Sequence, residues 1–258
     1  MTLNVSVPLA ARSTLVLMAL LLFHTTSIAA ADPAIDPQAV ARLKSGLDFL
    51  EKQQKFTVET ENTFEVVTGE GQKIQYDNST KLALHRPNKL RGQRKGDVID
   101  QEFFYDGSSL TLFNPGENYY ATVAAPDNLD AALDFARDEL DIVAPAGDLL
   151  YSDAFEGMME NVTAGFLVGE AVVNGVRCDH LAFRAGAVDW QIWIAQGEQP
   201  LPYKLVITTL DVLNAPQFSM VMSNWDLHPV FTDEHFHFNP PENARQIEFL
   251  SAQIQSVD

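Results

Sequence analysis

The chain has 258 residues, 46% of them hydrophobic, and a single cysteine, which is enough for one or two domains with a sizeable core. Its 17 basic against 35 acidic residues give a formal net charge of -18, which excludes a nucleic-acid partner and electrostatic adhesion to anionic lipid, since both need clustered Lys and Arg. One cysteine excludes an intramolecular disulfide framework and a thiolate zinc site.

The first thirty or so residues read as an export signal. Arg12 is the only charge before Asp32, Leu15 to Phe23 form an apolar run, and Ser27-Ile28-Ala29-Ala30-Ala31 supplies the small residues of a cleavage site. The run is shorter than the ~20 apolar residues that span a bilayer, and nothing later resembles a membrane span. The expected organisation is a signal peptide over 1–31 and a single domain over 32–258, exported to the periplasm.

Asp36-Pro37 is a helix start, with Asp as N-cap and Pro in the first turn. Val40, Leu43, Leu47 and Leu50 follow at helical spacing, which predicts an amphipathic helix over 37–53. The period then changes to two. Phe56, Val58, Thr60, Asn62 and Phe64 alternate with Thr57, Glu59, Glu61, Thr63 and Glu65, the pattern of a half-buried antiparallel strand. Turn signals at Gly69-Glu70-Gly71, Asp106-Gly107 and Pro115-Gly116 divide the following stretch into a meander of about six strands ending near Val123.

The middle is helical. Asp127-Asn128 caps a helix with Leu129, Ala132, Leu133, Ala136 and Leu140 on one face. After Ala144-Pro145-Ala146-Gly147 a second helix is expected to carry Leu150, Ala154, Phe155, Met158, Met159 and Val162. A second meander follows. Asn174-Gly175 suits a type I′ hairpin between Phe166–Val173 and Arg177–Arg184, and Ala187–Ala195, Tyr203–Leu210, Phe218–Leu227 and Phe236–Phe238 complete it. The predicted fold is mainly β with α: a large curved antiparallel sheet, an incomplete barrel, with an N-terminal helix and a central helical lid.

Catalytic signatures are lacking. There is no G-x-S-x-G elbow, P-loop or dinucleotide fingerprint, the carboxylates have no signature spacing, and the reading is of a non-enzyme without cofactor. The nearest approach to a metal signal is His235 and His237 beside Asp233, Glu234 and His228. A strand would put His235 and His237 on one face, yet no third strong ligand is fixed, so no metal is assigned. Cys178 reads as a small buried residue.

One stretch carries a resemblance. Val188-Asp189-Trp190-Gln191-Ile192-Trp193-Ile194 is followed by Gly197-Glu198-Gln199-Pro200-Leu201-Pro202-Tyr203, then by Gln217-Phe218, Trp225 and Phe236-His237-Phe238-Asn239-Pro240-Pro241. This resembles a family of predicted periplasmic proteins of unknown function, which in turn is similar to the LolA/LolB and LppX-type lipoprotein carriers. The resemblance covers roughly Asp36 to Ile247. It implies an open barrel around an apolar cavity with short helices as lid, and so a lipid or acyl-chain ligand.

The residues agree with that implication. The predicted inner faces carry Phe56, Val58, Phe64, Phe103, Tyr105, Leu110, Leu112, Trp190, Ile192, Ile194, Met220 and Met222, and the insert adds Leu133, Leu140, Phe155, Met158 and Met159. Methionine adapts to irregular acyl chains. The cavity candidates are Phe56, Phe64, Leu133, Leu140, Phe155, Met158, Met159, Trp190, Ile192, Met220 and Met222. The same residues would serve a packed core, so two functions stand: a carrier or sensor of an apolar ligand, or a solid interaction module docking an envelope protein. The insert, Asp127 to Val162, is expected to lie over the open face of the sheet, with Asp130, Asp134 and Asp138 toward water and Pro145-Ala146-Gly147 as a joint.

Overall fold

In the computed structural model, which describes residues 35–142 and 144–249, the first helix starts where its capping residues put it. The Asp36 carboxylate accepts a hydrogen bond from the Gln38 amide at 2.8 Å, Pro37 occupies the first turn, and α1 runs Pro37–Glu51. Its apolar stripe, Ala39, Leu43, Leu47 and Leu50, is buried almost completely. The signal peptide expected over 1–31 lies outside the described residues.

The first meander comprises β1 (Lys55–Val67), β2 (Lys73–His85), β3 (Lys89–Gly96), β4 (Asp100–Tyr105), β5 (Ser109–Asn114) and β6 (Tyr119–Ala124). The second comprises β7 (Val162–Val173), β8 (Val176–Ala185), β9 (Val188–Ala195), β10 (Pro202–Thr209) and β11 (Gln217–Asp226), and a two-residue β12 (Arg245–Gln246) follows. All join one 12-stranded sheet in the order β12-β6-β5-β4-β3-β2-β1-β11-β10-β9-β8-β7. Every pairing is antiparallel except β12 with β6. The sheet does not close: β7 and β12 are its edges. The β7–β8 hairpin turns at Asn174-Gly175, both with positive φ, as a type I′ turn requires.

One face of the sheet, called inner below, carries the helices. α1 packs against β7, β8 and β9, so closely that a Cβ on Gly46 would stand 2.9 Å from the Ile194 side chain. Between the meanders lie α2 (Leu129–Asp138), a 3-10 turn (Gly147–Leu150) and α3 (Ala154–Met159). The insert departs from expectation in its second half. Instead of one helix from Leu150 to Val162 there is a 3-10 turn and a helix of six residues, and Val162 already belongs to β7. Helix propagation is interrupted because Asp130 of α2 accepts from both the amide and the hydroxyl of Ser152, and Asn161, at φ 59°, turns the chain into β7. Asp134 and Asp138 face water, whereas Asp130 is engaged in that tie. Ala146 takes a left-handed φ of 66° at the start of the 3-10 turn.

The C-terminal segment is the second correction. Phe236–Phe238 does not form the last strand: Asp233–His235 is a 3-10 turn, Phe236 and His237 bend the chain, and the segment over the outer face joins no ladder before β12. Pro240 and Pro241 have no N–H to give a ladder. The aromatic side chains act as plugs instead. Phe236 is 1% exposed beside His85 and Phe231, and Phe238 sits with ring centroids 5.0–5.3 Å from Phe104, Phe113 and Tyr120. Among the described residues no helix is long and apolar enough to cross a membrane.

Candidate functional site

The registers of β1 to β6 stack the inner face into rows that run across the strands. The row next to the helices is Phe56, Leu84, Leu90, Tyr105 and Leu110, all fully or nearly buried. The next is Val58, Leu82, Gly92, Phe103, Leu112 and Ala121, still apolar. The third changes character: Thr60, Thr80, Arg94 and Gln101 stand directly opposite one another on four neighbouring strands. Asn62 and Asn78 make a fourth polar row. Beyond them an aromatic pair, Phe64 and Tyr76, returns with ring centroids 5.5 Å apart. The polar rows therefore form a belt inside an otherwise apolar face.

The belt is bonded in part. Asn62 Nδ2 donates to Asn78 Oδ1 at 3.0 Å and to Thr80 Oγ1 at 3.1 Å, and Arg94 donates to Gln101 Oε1 at 3.1 Å. Thr60 Oγ1 and Asn62 Oδ1 are buried without a hydrogen-bond partner, in residues only 5% exposed. Burial pushes the Arg94 guanidinium below its usual pKa, with no carboxylate opposing the shift. The acidic residues of β1 to β4, namely Glu59, Glu61, Glu65, Asp77, Asp100 and Glu102, fall at the alternate positions that face the other way.

The β8–β11 half has no such belt. Leu181 and Phe183 on β8, Trp190 and Ile192 on β9, Leu205 and Ile207 on β10, and Phe218, Met220 and Met222 on β11 share the inner face. Trp190 stacks on Phe183 at 4.3 Å between centroids.

The sequence-derived cavity candidates fall into four groups. Phe56, Trp190, Ile192 and Met222 are deep in the core that also takes the apolar stripe of α1. Phe64 and Met220 lie farther along the same face and stay partly exposed. Leu133, Phe155, Met158 and Met159 pack onto the core from α2 and α3, and Lys44 of α1 sits 4.7 Å over the Phe155 ring. Leu140 lies past the end of α2 and outside that cluster. Thr60, Asn62 and Arg94 were not singled out from the sequence. The available signal was the change from Phe56 and Val58 to Thr60 and Asn62 at alternate positions of one strand; the alignment with Arg94 needs the register of four strands.

The histidines do not converge. His235 stacks on Phe231 at 4.8 Å and burial holds its imidazole below the usual pKa, helped by Arg91. His237 Nδ1 lies 3.2 Å from Asp106 Oδ2 instead. The expectation that a strand would place both on one face fails because this segment is not a strand. Among the described residues no group of three or more His, Cys, Asp or Glu is placed to hold a metal. A pocket of about 240 Å³ opens beside His237, between Phe238 and the outer face of β4 to β6. Cys178 is buried, and desolvation raises its thiol to about 11, which leaves it unreactive at neutral pH.

Comparison with known proteins gives a family. The model described as "Predicted periplasmic protein (DUF2092)" matches residues 39–250, and the chain belongs to that family. That family description gives its place as the periplasm. The comparison with curated protein sequences returns no match. Among solved structures the chain is similar to LprF from Mycobacterium bovis, at TM-score 0.48 and 13% identity over 83% of this chain and 100% of that one. It is also similar to the Mycobacterium tuberculosis lipoprotein LppX, at 0.42 and 16% over 76% and 98%, and to an uncharacterized conserved protein from Thermus thermophilus, at 0.46 and 9% over 82% and 97%.

Proposed function

We propose that this periplasmic DUF2092 protein is a non-enzymatic carrier or sensor that holds a lipid-like, apolar ligand between the inner face of its sheet and the helices of its insert, within a single domain that follows a cleaved signal peptide. The supporting observation is the mismatch between the apolar surface the sheet offers and the cover it has. α1 buries the β7–β9 region, but Phe64, Phe103, Ile207, Phe218 and Met220 on the same face remain partly exposed. Contiguous apolar surface left open to water marks a site for a ligand or partner. Phe155, Met158 and Met159 of α3 are partly buried against the same core, and thioether chains adapt to irregular apolar shapes.

The test uses protein purified from its own periplasm, examined by native mass spectrometry for co-purified lipid. Lipid-stripped protein is then titrated with the neutral probe N-phenyl-1-naphthylamine. Bound lipid, or probe fluorescence that a competing acyl chain displaces, is the expected result. Protein that carries no lipid and binds no apolar probe would refute the carrier reading.

A second reading has its own observation. The edge strand β7 shows Phe166, Val168 and Val172 at 56, 48 and 67% exposure; Asp36 already takes the edge groups of Gly165 and Leu167, and the edge beyond them, with its apolar side chains, is suited to strand addition by another protein. Under this reading the chain is an envelope interaction module. Replacing Phe166 and Val172 by lysine would abolish partner capture in periplasmic cross-linking and leave probe binding unchanged.

A further inference from the structure

We infer that the ligand of this site is an amphiphile with an oxyanion headgroup, a carboxylate or a phosphate, received by Arg94 and Thr60 in the polar belt of the inner face; the inference rests on the carrier reading above and specifies its ligand class.

A guanidinium carries five N–H donors and accepts nothing. Arg94 uses one toward Gln101 and forms no ion pair among the described residues. A buried or half-buried cation without a counter-charge is costly unless something supplies one. The sheet around it withholds carboxylates: the acids of β1 to β4 lie on the opposite face. In a protein of net charge -18, an inner face whose belt holds a lone arginine and no acid is a selective receptor for negative charge.

The neighbouring orphan atoms point the same way. Thr60, on the same row, has a buried hydroxyl with no partner, and that hydroxyl can donate. Asn62 Oδ1, one row on, is a buried acceptor with no partner, suited to a headgroup hydroxyl or a water beside the oxyanion. Buried polar atoms are seldom left unmatched, and two of them in adjacent rows of the belt that holds Arg94, a guanidinium without a counter-ion among the described residues, describe a polar seat. The seat is flanked by apolar side chains. Val58, Leu82 and Phe103 lie on the helix side and Phe64 and Tyr76 on the other, with Met220 and Met222 next to Asn62 and Thr60 on β11. An acyl chain leaving the headgroup meets apolar surface in each of these directions.

The experiment titrates lipid-stripped protein with dodecanoate, dodecyl phosphate and dodecanol, three ligands with one chain length, by calorimetry at neutral pH. The inference expects one or both oxyanions to bind at least about ten-fold more tightly than the alcohol, the scale of a charge-assisted hydrogen bond; the tighter oxyanion names the headgroup. Arg94→Gln should remove that preference while leaving dodecanol within about two-fold of its wild-type affinity. Arg94→Lys, which keeps the charge but not the planar fork, should retain part of it. Equal affinity for all three ligands on the wild-type protein would overturn the headgroup assignment and leave the apolar carrier intact. Binding of none would instead refute the carrier reading itself. The wild-type comparison needs no variant, so a misfolded Arg94→Gln would not shelter the proposal.

Discussion

The two halves of the sheet obey the same alternation and use it differently. On β8 to β11 the inward positions are apolar except at Asp179, whose buried carboxylate is paired with Arg42 of α1; α1 packs on β7 to β9, and Leu43, Leu47 and Leu50 share one core with Trp190, Ile192 and Ile194. On β1 to β4 the inward positions begin apolar and then switch to Thr60, Thr80, Arg94, Gln101, Asn62 and Asn78. One half is arranged as a core and the other carries polar atoms it does not fully satisfy. The difference separates what holds the fold together from what the fold offers to a ligand, and substitutions in the two halves should behave accordingly.

The largest effect is expected in the core half. Leu47→Ala empties a site that is 1% exposed at the centre of the helix–sheet contact, and should cost ~2–5 kcal/mol in urea denaturation, as such truncations do. A loss below ~1 kcal/mol would mean that α1 is not what consolidates β7 to β9. Phe155→Ala probes the border between the halves. A fully buried phenylalanine would cost ~3–5 kcal/mol, but this one is only partly buried beneath Lys44. About 1–2 kcal/mol is expected, together with weaker binding of the naphthylamine probe. The full core penalty with unchanged probe binding would move α3 into the core and favour the interaction module.

In the polar half the sign should reverse. Thr60→Val removes a hydroxyl that is buried and unpartnered, so it should leave thermal stability unchanged or raise it by up to ~1 kcal/mol, because the desolvation penalty of an unmade bond is lifted. Oxyanion binding should weaken at the same time. A clear destabilisation would show that the hydroxyl is satisfied in solution, by a bound water. The smallest effect lies on the outer face. Burial works to raise the Asp106 carboxyl, but the amides of Ser109 and Ser108, the Ser108 hydroxyl and His237 outweigh it and hold the group below the usual carboxylate value. A group with a lowered folded pKa stabilises above its unfolded pKa and loses that contribution as pH falls through the folded one. The stability difference between wild type and Asp106→Asn should therefore be present at neutral pH and shrink below about pH 4. A difference that grew on acidification would contradict the assignment.

Local signals account for most of what the sequence made legible. Asp36-Pro37 marks α1, the two-residue period of Phe56 to Phe64 marks β1, and Asn174-Gly175 marks its hairpin, because capping, pleat and turn chemistry act over a few residues. The breaks in the reading occur where a distant partner decides. Asp130 interrupts the second helix of the insert by binding Ser152, and Phe236 and Phe238 leave the strand pattern because pockets beside His85 and between Phe104, Phe113 and Tyr120 receive them. The candidate site was half legible. Its apolar lining could be listed from alternation alone, whereas the seat around Arg94 exists only through the register of β1, β2, β3 and β4, which no single segment encodes.

The order of strands also sets a problem in time. Each meander consists of neighbours in sequence, which can zip as hairpins as soon as they are synthesised and exported. The seam between them joins Thr57–Phe64 to Phe218–Asp226, partners about 150–170 residues apart. Loop closure over that span makes the seam a late and slow contact. Until it forms, β1 and β11 are both free edges, each bearing its half of the apolar inner face, and it is this transient pair of open strands that an envelope chaperone would have to shield.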